Sequence, residues 1–165
     1  MKTIYLVRHS KSSWGIEDIC DKDRPLKGRG IRDAHLISTY LFNSMSRAKK
    51  IEFCSSSATR AVHTALIFAE NFNIPAAEIK ISDELYHCAA DELHGVIKKT
   101  KDEVDELFIF AHNPSITRYV NQITGAGIEN VPTTGVVGII YESKRWSTIS
   151  RLGKCMLFEY PKRFK

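Results

Sequence analysis

The sequence contains no Cys-x-x-Cys pair, no His-Glu-x-x-His helix motif and no Gly-x-x-x-x-Gly-Lys-[Ser/Thr] loop. These absences argue against zinc-ribbon, metalloprotease and P-loop chemistry. Gly28-x-Gly30 and Gly125-x-Gly127 lack the third glycine and the preceding strand of a dinucleotide fingerprint. Four cysteines, Cys20, Cys54, Cys88 and Cys155, are scattered along 165 residues. Their spacing does not suggest a disulfide scaffold, and scattered thiols fit a reducing, cytoplasmic setting. No apolar run approaches a membrane span, and Ile4–Val7, which meets Arg8, is too short for a signal-peptide core. With 9 Gly and 5 Pro the chain is neither collagenous nor of low complexity.

What is present is ordinary for a globular domain: 43% hydrophobic and 26% charged residues. The net charge of +5 is concentrated late in the chain, where Lys144, Arg145, Arg151, Lys154, Lys162, Arg163 and Lys165 face only Glu159. No zinc finger, recognition helix or Arg-Gly run accompanies that stretch. It reads as a solvated face rather than a nucleic-acid surface.

Short apolar runs alternate with longer amphipathic ones, the pattern of an α/β domain. Strands are expected at Thr3–Val7, Ile51–Cys54, Leu107–Ala111, Val136–Tyr141, Ser147–Ser150 and Lys154–Glu159, with a short one at Ile79–Ile81. Helices are expected over Arg29–Met45, along the Ala61, Ala65, Phe68, Ala69, Phe72 stripe, over Ala90–Lys99 and from Pro114. Any of Ser55, Ser56 and Ser57 is placed to cap the second helix. No linker breaks the chain, so residues 1–165 are expected to form a single domain.

Three segments share one design, in which an apolar strand ends and cationic or polar residues begin. They are Leu6-Val7-Arg8-His9-Ser10, Phe53-Cys54-Ser55-Ser56-Ser57-Ala58-Thr59-Arg60 and Phe110-Ala111-His112-Asn113-Pro114. In an open α/β sheet the carboxyl ends of parallel strands line the ligand crevice. Arg8, His9, Arg60 and His112 are therefore expected to converge. Two guanidinium forks match a tetrahedral oxyanion, helix N-termini add partial positive charge, and a neutral imidazole can act as a nucleophile toward phosphorus. No metal or cofactor is expected, since the arginines would clamp the phosphoryl group and repel a cation.

The ordered set of motifs resembles the histidine phosphatase (phosphoglycerate-mutase-like) superfamily, and within it the SixA-type phosphohistidine phosphatases. The likeness rests on Arg8-His9 with Lys11-Ser12-Ser13-Trp14, and on Asp23-Arg24-Pro25-Leu26 with Gly28 and Gly30. Ser55 to Arg60 with Ala61 and Thr64, Leu85-Tyr86, His112-Asn113-Pro114, Thr134-Gly135, Trp146 and Tyr160-Pro161-Lys162 complete it. It spans nearly the whole chain. The resemblance implies a three-layer αβα sandwich around a mostly parallel sheet. It makes His9 the phosphorylated nucleophile, with Arg8, Arg60 and His112 on the phosphoryl oxygens. Arg24, Ser10 and Asn113 become candidate substrate contacts. Ser10 and Ala111 stand where relatives carry Gly, which is tolerable unless either site needs positive φ.

Larger relatives protonate an alkoxide leaving group with an acid near mid-chain, and Glu84 is the candidate here, with Asp91 and Glu92 as rivals. SixA-type relatives are thought to manage without one, since imidazole is the better leaving group. The resulting expectation is a monomeric phosphatase acting on a histidine-phosphorylated partner protein. The alternatives are a phosphomonoesterase for small phosphate esters using Glu84, and a non-catalytic phosphate-binding module.

Overall fold

Alternation along the strands decides the layers. The structure is a computed structural model describing all 165 residues. In β1 (Lys2–Arg8) and β4 (Glu106–Ala111) successive side chains leave opposite faces of the sheet, and both faces are apolar. Tyr5, Val7, Phe108 and Phe110 pack beneath α1 (Gly28–Ser44) and α2 (Thr59–Phe72). Ile4, Leu6, Leu107, Ile109 and Ala111 pack beneath α3 (Ala90–Lys98) and α4 (Ser115–Thr124). Strands covered on both faces read as continuous hydrophobic runs, which is how these two appear in the sequence.

With β2 (Ile51–Ser56), β3 (Lys80–Ser82), β5 (Val136–Tyr141) and β6 (Lys154–Glu159) the sheet has six strands in the order β3-β2-β4-β1-β5-β6. The neighbours β3, β2, β4 and β1 are parallel, whereas β5 runs antiparallel to β1 and to β6. The sheet is therefore mixed, flanked by two helices on each face. The order brings the carboxyl ends of β2, β4 and β1 side by side.

Two local expectations are corrected. Ser147–Ser150 is not a strand: Trp146–Thr148 forms a 3-10 turn. Trp146 is fully buried, its indole Nε1 donating to Val104 O at 2.8 Å and its backbone N to Asp102 Oδ1 at 2.8 Å, and this anchoring overrides any alternation. No serine side chain caps α2, whose N-cap residue is Ala58. Instead, Ala58 N donates to Ser56 Oγ at 3.3 Å, outside the helix.

Gly30 lets α1 approach the loop after β1. A Cβ there would stand 2.2 Å from Lys11 O, so only glycine permits this contact. Lys27 N also donates to Lys11 O at 2.9 Å, fixing the loop from its other side.

Candidate functional site

Register puts the two histidines together. In the parallel β1–β4 pair Arg8 lies opposite Ala111, so the residues that follow, His9 and His112, emerge side by side. His9 N donates to Ala111 O at 3.1 Å, and the two imidazole centroids are 5.2 Å apart. From the neighbouring β2, Ser56 Oγ meets His112 Nε2 at 2.8 Å. Arg60 arrives on the first turn of α2 and Arg8 from the end of β1.

His9 Nδ1 lies 2.9 Å from Ser10 O. A carbonyl only accepts, so Nδ1 carries the proton and Nε2 is left with its lone pair. Burial holds the His9 pKa down to about 4; the Ser10 hydrogen bond opposes this, while Arg60, Arg8 and Arg24 add to it. Burial, with His9 and Arg60 nearby, takes His112 down to about 3. Both rings are neutral at pH 7.

The cations are only partly partnered. Arg8 Nη1 donates to Val131 O at 2.9 Å. Arg60 donates from Nη1 to Asp21 O at 2.6 Å and from Nη2 to Asp21 Oδ2 at 3.1 Å. Arg8 Nε, Arg60 Nε and His112 Nδ1 are buried with no partner in the chain. A buried polar group without a partner costs roughly 1–3 kcal/mol. The chemical complement of such a cluster is an anion with several acceptor oxygens.

Of the other sequence candidates, Arg24 is buried at this site. It bonds Ser12 Oγ at 2.6 Å and Asp21 Oδ1 at 3.2 Å, with its guanidinium 3.4 Å from the Trp14 ring centroid. Ser10 is wholly buried: its N–H donates to Thr64 Oγ1 at 2.9 Å and its hydroxyl accepts from Thr134 at 2.7 Å. Asn113 turns away to bond Asn130, Val131 O and Thr117, pinning the segment before β5 to the start of α4. Glu84 is not brought into the cluster. Both its carboxylate oxygens accept from Lys99 Nζ, at 2.9 and 3.0 Å, on an exposed surface. Neither Ser10 nor Ala111 has positive φ, so the two departures from glycine strain nothing.

Sequence reading missed three contributors. Asp21, on a 3-10 turn over Asp21–Asp23, links Arg24 and Arg60. Its charge three residues before Arg24 is visible in the sequence, but Asp23, directly beside Arg24, offers a competing carboxylate. Tyr86, noted only as part of a motif, donates from Oη to Asp21 Oδ2 at 2.7 Å. Burial raises the Asp21 carboxyl, but the Tyr86 hydrogen bond and the Arg60 and Arg24 guanidiniums outweigh it, taking the pKa down to about 2.

Thr134 is the third. It holds φ of 62°, a left-handed conformation unusual for a β-branched residue. Its N–H reaches Arg8 O at 3.1 Å and His9 O at 3.3 Å while its hydroxyl donates to Ser10. The strained residue thus grips Arg8, His9 and Ser10 together.

Residues 4–115 match the sequence profile described as "Histidine phosphatase superfamily (branch 1)". The uncharacterized protein ML1117 of Mycobacterium leprae is 31% identical over 85% of this chain and 89% of its own. The SixA protein of Agrobacterium tumefaciens, proposed to be a phosphohistidine phosphatase, superposes with TM-score 0.81 at 23% identity over 97% of this chain and 98% of its own. A protein histidine phosphatase SixA complexed with tungstate superposes with TM-score 0.80 at 18% identity, covering 99% of both chains.

Proposed function

The chain belongs to the histidine phosphatase superfamily, and from that premise we propose that it removes the phosphoryl group of a protein phosphohistidine through a covalent intermediate on His9. One observation carries the reading: a neutral His9, its Nδ1–H fixed on Ser10 O, stands beside Arg8, Arg60 and His112. His9 Nε2 attacks phosphorus, and the bond to the substrate's leaving atom breaks. Water then attacks the phosphorylated His9, releasing phosphate and returning the electron pair to Nε2. Arg8, Arg60 and His112 hold the phosphoryl oxygens in both steps, where a loose transition state makes clamping the main contribution.

Two features favour a phosphohistidine on a protein over a small ester. The only hydrogen bonds of Glu84 go to Lys99, which gives an alkoxide no acid from that residue. Trp14, Ile16 and Ile19, on the same loop as Arg24, are exposed apolar side chains of the kind a protein surface covers. The SixA structures of similar length and fold, one holding the tetrahedral oxyanion tungstate, support the same substrate class.

The test is release of phosphate from a histidine-phosphorylated phosphotransfer domain, with acid-free trapping of the phosphorylated enzyme. Wild type is expected to turn over, Glu84→Gln to match it, and His9→Ala to do neither. Release by His9→Ala at the wild-type rate would overturn the assignment.

A further inference from the structure

Asp21 is a carboxylate set among the cations of an anion site, where its charge opposes an incoming phosphoryl group. Its hydrogen bonds show what it has left to offer. Oδ2 accepts from Tyr86 Oη and Arg60 Nη2, and Oδ1 accepts from Arg24 Nε. A carboxylate has about four lone-pair sites. One therefore stays open on Oδ1, and the side chain is 39% exposed. This group is held ionised by its neighbours, so at neutral pH it accepts protons in hydrogen bonds and does not give one up.

The chemistry of a phosphorylated imidazole calls for such an acceptor. When His9 Nε2 bonds to phosphorus, the P–N bond of the substrate breaks and its electron pair returns to the departing nitrogen. If the substrate ring carries a proton on its other nitrogen, it leaves as neutral imidazole. Without that proton it leaves as imidazolate, a far poorer leaving group. On the enzyme's side the matching proton is already fixed, because Ser10 O holds Nδ1–H of His9 and so prepares phospho-His9 to depart as neutral imidazole during hydrolysis.

We infer that Asp21 Oδ1 does the same for the substrate: it accepts the N–H of the phosphorylated ring and keeps that ring in its protonated, reactive form. The inference rests on the phosphohistidine reading above and specifies how the site selects for it. An ester presents no such N–H, and Asp21 has no proton for an alkoxide. The groups facing Asp21 are Arg24 from its own loop, Arg60 from α2, and Tyr86 with His87 after the turn Asp83–Leu85. The His87 Nε2 is 3.8 Å from Oδ2, and His112 acts at longer range.

The experiment compares wild type with Asp21→Asn and, as a second neutral variant, Asp21→Ser. The measurement is kcat/KM on a phosphohistidine peptide and on p-nitrophenyl phosphate across pH. Imidazoles titrate near about 6.5, so the substrate ring is already protonated at about pH 5.5 and mostly neutral at about pH 9. The loss on phosphohistidine is expected to grow from about twofold at the acid end to about tenfold at the alkaline end, one unit of ring pKa being worth tenfold. The loss on p-nitrophenyl phosphate is expected to be the same at every pH. Combining His87→Gln with Asp21→Asn removes the other imidazole at the mouth, and the widening should persist. An equal, pH-independent loss on both substrates would overturn the inference and leave Asp21 as a brace for Arg24 and Arg60. Wild type that cleaves p-nitrophenyl phosphate but never phosphohistidine would instead overturn the substrate reading, and this inference with it.

Discussion

The imidazoles of His9 and His112 lie 5.2 Å apart, and burial suppresses protonation of both. Their folded pKa values, about 4 and about 3, lie below the ordinary value of 6.5, so the unfolded chain binds more protons between those limits. The sign follows from linkage: this stability is fully present above pH 6.5 and is lost as pH falls toward the folded values. The melting temperature in phosphate-free buffer is expected to drop by more than about 3 °C between about pH 7 and about pH 4.5. His112→Asn should flatten that slope, as measured by circular dichroism.

Thr134 separates strain from hydrogen bonding. Thr134→Ser keeps the hydroxyl that meets Ser10 Oγ and removes the β-branch that disfavours φ of 62°. It should retain activity and stability close to wild type. Thr134→Val keeps the strain and loses the hydrogen bond, costing roughly 1–3 kcal/mol by urea titration. Its kcat should fall further than its KM changes, because the segment it grips carries His9, the proposed nucleophile. Equal behaviour of the two variants would contradict this.

Two glycines on helices make opposite demands. Gly30→Ala forces a methyl to within 2.2 Å of Lys11 O, and backbone cannot yield as a flexible side chain does. It should destabilise by several kcal/mol (about 2 or more) and depress kcat by displacing the loop that begins with His9. Gly95, inside α3, has nothing within 4 Å of its added Cβ. Gly95→Ala should stabilise by about 0.5–1 kcal/mol with activity unchanged.

The architecture was legible where burial wrote itself into the chain. Ile4-Tyr5-Leu6-Val7 and Leu107 to Ala111 are apolar at every position because helices cover both faces of their strands. The stripe through Ala61, Ala65, Phe68 and Phe72 likewise follows from one buried helix face. Ser147–Ser150 was misread because a single anchored indole, Trp146, decides that segment and leaves no periodic trace.

For the site, the sequence exposed groups that follow strands and hid those delivered by loops. Arg8, His9 and His112 sit at strand ends, where topology converts sequence position into spatial position. Asp21 and Tyr86 meet across 65 residues through loops whose paths no local pattern dictates. Asn113 shows the converse, since a strand-end position does not say whether a side chain turns inward or, as here, is taken up by Asn130 and Thr117.

The stacking of Trp14 on Arg24 gives the molecule an optical reporter. The only other indole, Trp146, is fully buried in the core, whereas Trp14 is 72% exposed with a guanidinium 3.4 Å from its ring centroid. Emission from the buried indole is insulated from events at the surface and supplies a steady blue-shifted background. Any ligand that draws the Arg24 fork aside changes the quenching of the other, so occupancy can be followed by intrinsic fluorescence with no label attached.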